Sequence, residues 1–344
     1  NICGLVGLPN IKAGDTITGI ETPLEMIPFE EMKYSHEPVV TISIEPKHPR
    51  ELPRLLNTLK ILTQRDPNLV FQINKDTGEN LLSGIGLLHL EITLQDIQKM
   101  GIAVKASEPI VLYRETPKQF SKLEEFIFSP NKENSIRISV NSIIDNKLES
   151  RNIAENNFLE SNLNNILVFD ISDTQVSQAT RDALVAGFIW ACERGPLCGE
   201  PIDYTIVRVL DIKLSPQIQN RSKVELMSMI KDAIFKSFNN TDMTLLEPVY
   251  EIQVLIPKEL VKEISNIILT KRGKTELIEY KGALVAIKGM IPVSETFDLA
   301  TTIRSKTSGR AIWQTQFAAW QKVPESRIGN IVSVIRERKG WRGT

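Results

Sequence analysis

At 344 residues, with 42% hydrophobic and 24% charged residues, the chain has the composition of a soluble globular protein with room for two or three cores. Its formal net charge of -1 excludes a global field for nucleic acid, so any such binding has to come from local patches. No apolar run approaches the roughly 20 residues that span a bilayer, and the three cysteines, Cys3, Cys192 and Cys198, include no C-x-x-C pair, which argues for a reducing compartment and against a disulfide framework or a zinc site.

The chain opens Asn1-Ile2-Cys3-Gly4-Leu5-Val6, without Met or a basic signal region, and reads as a strand entered midway in a longer protein. Residues 1–28 carry strand-like pieces and turn signals that suit the end of a β-barrel. From Pro38 the pattern sharpens. Val39–Glu45 alternates as a strand. Pro49–Asp66 predicts a helix with Leu52, Leu55, Leu56, Leu59 and Leu62 on one face and Pro49 at its first position. Leu69–Asn74 is a strand, Asp76-Thr77-Gly78-Glu79 a hairpin turn, and Glu79–Ser83 the return. Gly84–Met100 is a second helix with Ile85, Leu88 and Ile92 inward, and Ile102–Ala106 a last strand. The order β-α-β-β-α-β is that of a ferredoxin-like module.

The same order returns near the other end. Strand Val249–Ile256 precedes helix Pro257–Thr270, with Leu260, Ile264, Ile267 and Ile268 inward. A hairpin of Lys274–Tyr280 and Leu284–Ile291 follows, then a helix capped by Ser294 and a closing strand Ala311–Trp320. The expected class is therefore α+β and multidomain: two ferredoxin-like modules flank a larger α/β middle domain, with a β-barrel remnant at the start.

In that middle, Asn131–Asp170 holds ten asparagines and reads as a surface excursion, with strands near Ile136–Ile144 and Ile166–Ile171. Gln178–Arg194 predicts a helix with Leu184, Phe188, Ile189 and Cys192 on one face. A strand over Tyr204–Leu210 and a helix carrying Leu226, Ile230, Ala233 and Ile234 enclose a polar loop, Lys213–Lys223. A polar loop on a rigid base suits the presentation of residues to a partner.

No G-x-x-x-x-G-K-[ST] phosphate loop occurs, so the chain lacks that route to nucleotide binding, and no catalytic, cofactor-binding or metal-ligating set is read. Asn74-Lys75-Asp76 and Gly84-x-Gly86 are chance and helix-entry chemistry. His36, His48 and His89 are scattered; His89 is expected to be packed and hydrogen-bonded, and His48 to lie at a helix cap. Basic clusters sit on turns and ends: Lys271-Arg272-Gly273-Lys274; Arg304, Lys306 and Arg310; Arg336-Glu337-Arg338-Lys339 with Trp341 and Arg342; and Lys213, Arg221 and Lys223. Such turn positions suit phosphate contacts and recognition of RNA shape.

Several ordered motifs then resemble the family of translation elongation factors 2 and G, most closely its archaeal form. They are Asp76-Thr77-Gly78-Glu79, Ser83-Gly84-Ile85-Gly86-Leu87-Leu88-His89-Leu90-Glu91, Tyr113-Arg114-Glu115-Thr116 and Gly195-Pro196-Leu197-Cys198-Gly199-Glu200-Pro201. Leu245-Leu246-Glu247-Pro248, Lys271-Arg272-Gly273, Phe297-Asp298-Leu299, Gly309-Arg310-Ala311 and Ile335-Arg336-Glu337-Arg338-Lys339-Gly340 continue the series. The resemblance implies the end of domain II over 1–28, domain III over 29–112, domain IV over 113–246 with its tip loop at 213–223, domain V over 247–323, and a C-terminal helix over 324–344 returning to domain IV. It implies a cytoplasmic, monomeric ribosome-binding factor. The parent would be a GTPase, holding GTP and Mg in a G domain absent from this chain. Contacts to ribosomal RNA are expected at Lys213, Lys223, Lys271, Arg272, Arg304 and Arg310.

The chain departs from the family at the tip. The family's elongation factor 2 carries a His-Arg-Gly there, whose histidine becomes diphthamide; by the same count that histidine falls on Asn220, followed by Arg221 and Ser222. Leu87 stands where the family motif has Glu. The implied protein is a paralogue without the modified histidine. Its task is translocation or, alternatively, ribosome assembly, recycling or dormancy. A third reading, from the ferredoxin-like modules alone, is a regulatory protein that binds a small ligand.

Overall fold

The computed structural model describes Ile11, residues 15–17, Gly19, and residues 37–74, 78–123, 125–144, 158–162, 164–171 and 176–341. Most of the expected barrel remnant, Cys3, His36 and the Asp76-Thr77 turn pair lie outside the described residues, as does Arg342. The chain forms two compact units. One takes the described residues up to Leu112 together with Pro248–Trp320; the other takes Tyr113–Glu247 with the described residues from Gln321 onward.

In the first unit, β1 (Val40–Pro46) leads through a 3-10 turn at Pro49–Glu51 into α1 (Leu52–Arg65), then β2 (Val70–Ile73) and β3 (Asn80–Gly84). α2 (Leu87–Lys99), β4 (Val104–Ala106) and β5 (Ile110–Val111) follow. The antiparallel sheet has the order β2-β3-β1-β4, with β5 also on β1. That is the ferredoxin-like order, and it is reached because the two helices need one common face on which to bury Leu55, Leu59, Leu90 and Ile97.

Three details differ from expectation. Pro49 starts a 3-10 turn, where His48 stands as N-cap without a side-chain cap bond, and the α-helix proper begins at Leu52. The second helix begins at Leu87, because Gly84 is still paired with Val40 in the sheet. It also buries Leu90, Thr93 and Ile97, leaving Leu88 69% and Ile92 48% exposed. Its apolar residues do not fall on a single stripe, so spacing alone does not pick the buried face. The Ile85 N–H donates to Nδ1 of His89 at 3.3 Å, which leaves Nε2 to carry the proton and donate to Asp66 at 2.9 Å. His89 is thus the packed, hydrogen-bonded residue expected.

The second unit begins with short strands, β6 (Arg114–Pro117), β7 (Ser121–Lys122) and β8 (Ile127–Phe128), and then the longer β9 (Ser135–Ser142). β10 (Phe158–Asn162), β11 (Asn165–Phe169), α3 (Gln178–Cys192), β12 (Thr205–Lys213) and α4 (Lys223–Asn239) complete it. The sheet order is β10-β11-β12-β9-β7, with β8 also on β9; only β11 and β12 run parallel. α3 and α4 cover one face, burying Phe188, Ile230, Ala233 and Phe238 against Ile136, Ile138, Val207 and Val209. They cross closely at Gly187, where a Cβ would lie 2.5 Å from Ile230 and 2.6 Å from the Met227 carbonyl.

Two asparagines of the asparagine-rich region are packed inside the unit. Asn165 is fully buried: its Nδ2 donates to the Ile202 carbonyl at 2.7 Å and its Oδ1 accepts from the Thr205 N–H at 3.1 Å. Asn134, 1% exposed, is held in a comparable way. The expected surface excursion is corrected at Asn134 and Asn165, whose amides are spent inside on backbone groups.

β13 (Met243–Pro257) pairs at its start with β6, within the second unit, and from Val249 onward with β15 of the first. There α5 (Val261–Thr270), β14 (Lys274–Lys281), β15 (Leu284–Pro292), α6 (Leu299–Thr307) and β16 (Ile312–Lys322) repeat the module, in the order β14-β15-β13-β16. Ser294 does not cap its helix. A 3-10 turn at Val293–Glu295 comes first, and the Ser294 hydroxyl accepts from Arg272 instead. Finally α7 (Glu325–Arg338) lies in the second unit, where Val332 and Ile335 pack with Cys198, Leu245 and Val323. No helix among the described residues is long and apolar enough to cross a membrane.

Candidate functional site

The loop between β12 and α4 is a short, self-tied knob. A 3-10 turn at Ile218–Asn220 forms its apex, and Ser222 caps α4, accepting from the Glu225 N–H at 3.3 Å. From Ile212 to Val224 the sequence has no carboxylate, while Lys213, Arg221 and Lys223 supply positive charge.

The loop's polar groups point largely inward. Arg221 donates from Nε to the Ser215 carbonyl at 2.5 Å. Asn220 donates from Nδ2 to Ser215 Oγ at 3.4 Å and to Gln217 Oε1 at 3.3 Å. The Asn220 carbonyl accepts from Nδ2 of Asn134 at 2.8 Å and from Nδ2 of Asn131 at 2.9 Å. Asn134 Oδ1 in turn accepts from the Ser215 N–H at 3.1 Å, so one buried amide holds both sides of the loop. The Asn131 N–H donates to Glu225 at 2.8 Å, tying the same strut to the first turn of α4. The strut, Ser129–Asn134 between β8 and β9, was not read from sequence as part of the loop; its Asn131 and Asn134 fell in the expected surface excursion. Lys213 and Lys223 are exposed. The Lys213 ammonium sits 4.1 Å from the centre of the Phe126 ring, a cation–π contact shared with Arg137 at 5.2 Å.

The basic turns of the first unit are internally paired. Lys271 donates to Asp298 at 2.5 Å, Arg272 to Glu295 at 2.7 Å and Arg310 to Glu259 at 2.7 Å. Lys271 holds the Asp298 carboxyl below its usual range, and the Glu259 carboxyl is lowered by its own N–H and by Arg310. Arg304, on α6, is exposed. Of these pairs Arg310–Glu259 is exposed on both sides and therefore weak, whereas Arg272 and Glu295 are both part-buried.

Two of the sequence motifs turn out to be structural partners. Glu115 is fully buried, and its carboxylate accepts from the backbone N–H of Leu197 at 2.7 Å, Cys198 at 2.7 Å and Glu200 at 3.0 Å. Burial pushes its carboxyl up, against these donors. Arg114 pairs with the buried Asp203, whose carboxylate also accepts from the N–H of Asn164 and of Tyr204. Arg336 and Lys339, from another motif, donate to the Leu197 and Gly199 carbonyls at 2.6 Å each. The N–H donors of Leu197, Cys198 and Glu200 are thus taken up by Glu115.

Comparison with known proteins agrees with this arrangement of modules. Residues 36–108 match domain III of elongation factor G, residues 146–242 its domain IV, and residues 244–340 its C-terminus. Elongation factor 2 of Korarchaeum cryptofilum is 35% identical over 371 residues, covering 99% of this chain and 50% of that protein. The elongation factors 2 of Aeropyrum pernix and Staphylothermus marinus are each 36% identical, over 368 and 370 residues, with the same coverage of 99% and 50%. The chain spans about half the length of the curated relatives it matches. The fold and three consecutive domain matches place it among the translation elongation factors. Within that class it belongs to the elongation factor G and elongation factor 2 family, and it is similar over nearly its whole length to the archaeal elongation factor 2 proteins.

Proposed function

We propose that this chain is the ribosome-binding part of an elongation factor 2-type translation factor, acting in the cytoplasm and contacting ribosomal RNA. The observation that carries the reading is the knob from Ile212 to Val224: free of carboxylates in its own sequence, flanked by exposed Lys213 and Lys223, and tied to the buried Asn134. A rigid, positively charged projection suits a folded RNA, whose phosphates supply most of the affinity. Lys271, Arg272, Arg304 and Arg310 form a second contact, released from Asp298, Glu295 and Glu259 as phosphate takes their place. GTP and Mg belong to a G domain elsewhere in the parent protein, and this chain by itself neither binds nor hydrolyses GTP.

A second reading keeps the ribosome and changes the task. The position that the resemblance assigns to diphthamide is Asn220, whose amide carries no fixed charge and is engaged within its own loop. This favours a diphthamide-free paralogue working in ribosome assembly, recycling or dormancy. Ribosome co-sedimentation tests the shared part of both readings. A reconstituted translocation assay with the full-length factor separates them: multi-round translocation supports the first, and ribosome binding without it supports the second.

A further inference from the structure

We propose that α7 is a releasable latch on the second unit: it opens by itself, ahead of global unfolding, and Arg336 and Lys339 are the bolts that hold it shut on the 195–200 turn.

The turn is gripped from two sides. From within, Glu115 accepts its N–H groups at Leu197, Cys198 and Glu200. From outside, the end of α7 takes its carbonyls. Arg336 donates from Nε and Nη2 to the Leu197 carbonyl at 2.8 and 2.6 Å, and Lys339 donates from Nζ to the Gly199 carbonyl at 2.6 Å. Lys339 also pairs with the buried Glu200 at 2.9 Å, and Arg338 lies 3.5 Å from the same carboxylate oxygen. The indole of Trp341 lies against Gly199, where a Cβ would stand 3.0 Å from it. The inner grip belongs to the body of the unit, since Glu115 is on β6; the outer one belongs to α7 and the residues just after it.

The rest of α7 is lightly held. Of its 14 residues only Val332 and Ile335 are buried. Its N-cap is Pro324, which makes no side-chain cap bond, and its first turn is tied by the surface pair Lys118–Glu325. Gly329 stands exposed in mid-helix, where it weakens the helix relative to alanine. A helix of this length is marginal in water unless packing holds it. It therefore depends on contacts gathered near one end, and an element so held opens at a lower free energy than the core.

The latch controls charge. Shut, Arg336 and Lys339 are committed to backbone carbonyls of the turn; open, both are freed at once, and this end of the unit shows more positive charge. The two buried thiols report the two states. Cys198 is fully buried among Leu245, Val323, Val332 and Ile335, so release of α7 uncovers it. Cys192 belongs to the separate core between the sheet and α3 and α4. Burial pushes both thiols up, so neither reacts where it sits.

The test labels the thiols of the whole chain slowly with iodoacetamide, at a series of urea concentrations below the unfolding midpoint, and reads each cysteine by peptide mass. Cys198 is expected to react ahead of Cys192 and with a shallower dependence on urea, because opening α7 exposes little surface. Gly329→Ala, at a site where a Cβ meets nothing within 4 Å, should slow the labelling of Cys198 about 4-fold, the value of that exchange inside a helix. Arg336→Gln should speed it about 10-fold, as loss of a hydrogen bond from a charged donor does. Labelling of Cys198 and Cys192 at one rate and with one urea dependence would overturn the latch, since α7 would then open only with the whole unit. Labelling of Cys198 ahead of Cys192 but unmoved by both substitutions would overturn it too, because the turn would then open without α7.

Discussion

The hydroxyl of Tyr250 donates to the carbonyl of Ile85 at 2.6 Å, joining the first strand of one ferredoxin-like module to the entry of the second helix of the other. Tyr250 is buried, and burial pushes its phenol up, so it remains a neutral donor at every physiological pH. Tyr250→Phe removes this one bond and preserves the ring's packing. The expected cost is about 1 kcal/mol in denaturant unfolding, with faster amide exchange around Ile85 while the second unit is unaffected.

Gly195 lies against Glu115, and a Cβ there would stand 2.1 Å from Oε2 of the carboxylate. Gly195→Ala therefore displaces an acceptor on which three backbone N–H groups converge. We expect a loss of about 3 kcal/mol or more. Glu115→Ala should have a similar effect, and the double variant should lose little beyond either alone. Denaturation midpoints of the three variants check this.

Asp298 titrates below its ordinary value of 3.8 because of its hydrogen bond to Lys271. Its depressed folded-state pKa means that the pair's contribution is present above the ordinary value and is lost as pH falls through the lowered one. Both partners reach solvent, so the effect on overall stability is small. In Lys271→Ala the Asp298 carboxyl is expected to return toward 3.8, which an NMR titration of its carboxyl carbon reads directly.

How far the sequence reached depended on where each partner lies. α1 was largely legible, with Leu55, Leu59 and Leu62 buried as expected, but Leu52, expected on the same face, is exposed at the helix start. α2 was not, because its leucines and isoleucines do not fall on one stripe: Leu90 and Ile97 are buried with Thr93, while Leu88 and Ile92 are exposed. The knob itself could be placed between its strand and helix. The inward turn of Asn220 could not, since Asn131 and Asn134 stand 89 and 86 residues earlier. An asparagine-rich stretch reads as unpacked only until its amides are matched to the backbone groups they satisfy.

Asn220 lacks the imidazole on which diphthamide is built. Protein purified from its native host is expected to have the intact mass of the unmodified chain. Treatment with a diphtheria-type toxin and labelled NAD should leave it unlabelled. Label on any residue between Lys213 and Lys223 would show that another side chain takes the role assigned to position 220.

The central claim is that this chain binds the ribosome through its own cationic surfaces. Its most direct test is co-sedimentation with purified ribosomes over a series of salt concentrations, comparing the unaltered chain with Arg310→Ala and Glu259→Gln. We expect binding at low salt that falls linearly on a logarithmic plot. Arg310→Ala should bind more weakly and with a shallower slope. Glu259→Gln, which removes the internal competitor of Arg310, should bind more tightly. Binding that is absent at the lowest salt, or present but insensitive to salt and to both substitutions, would contradict the account.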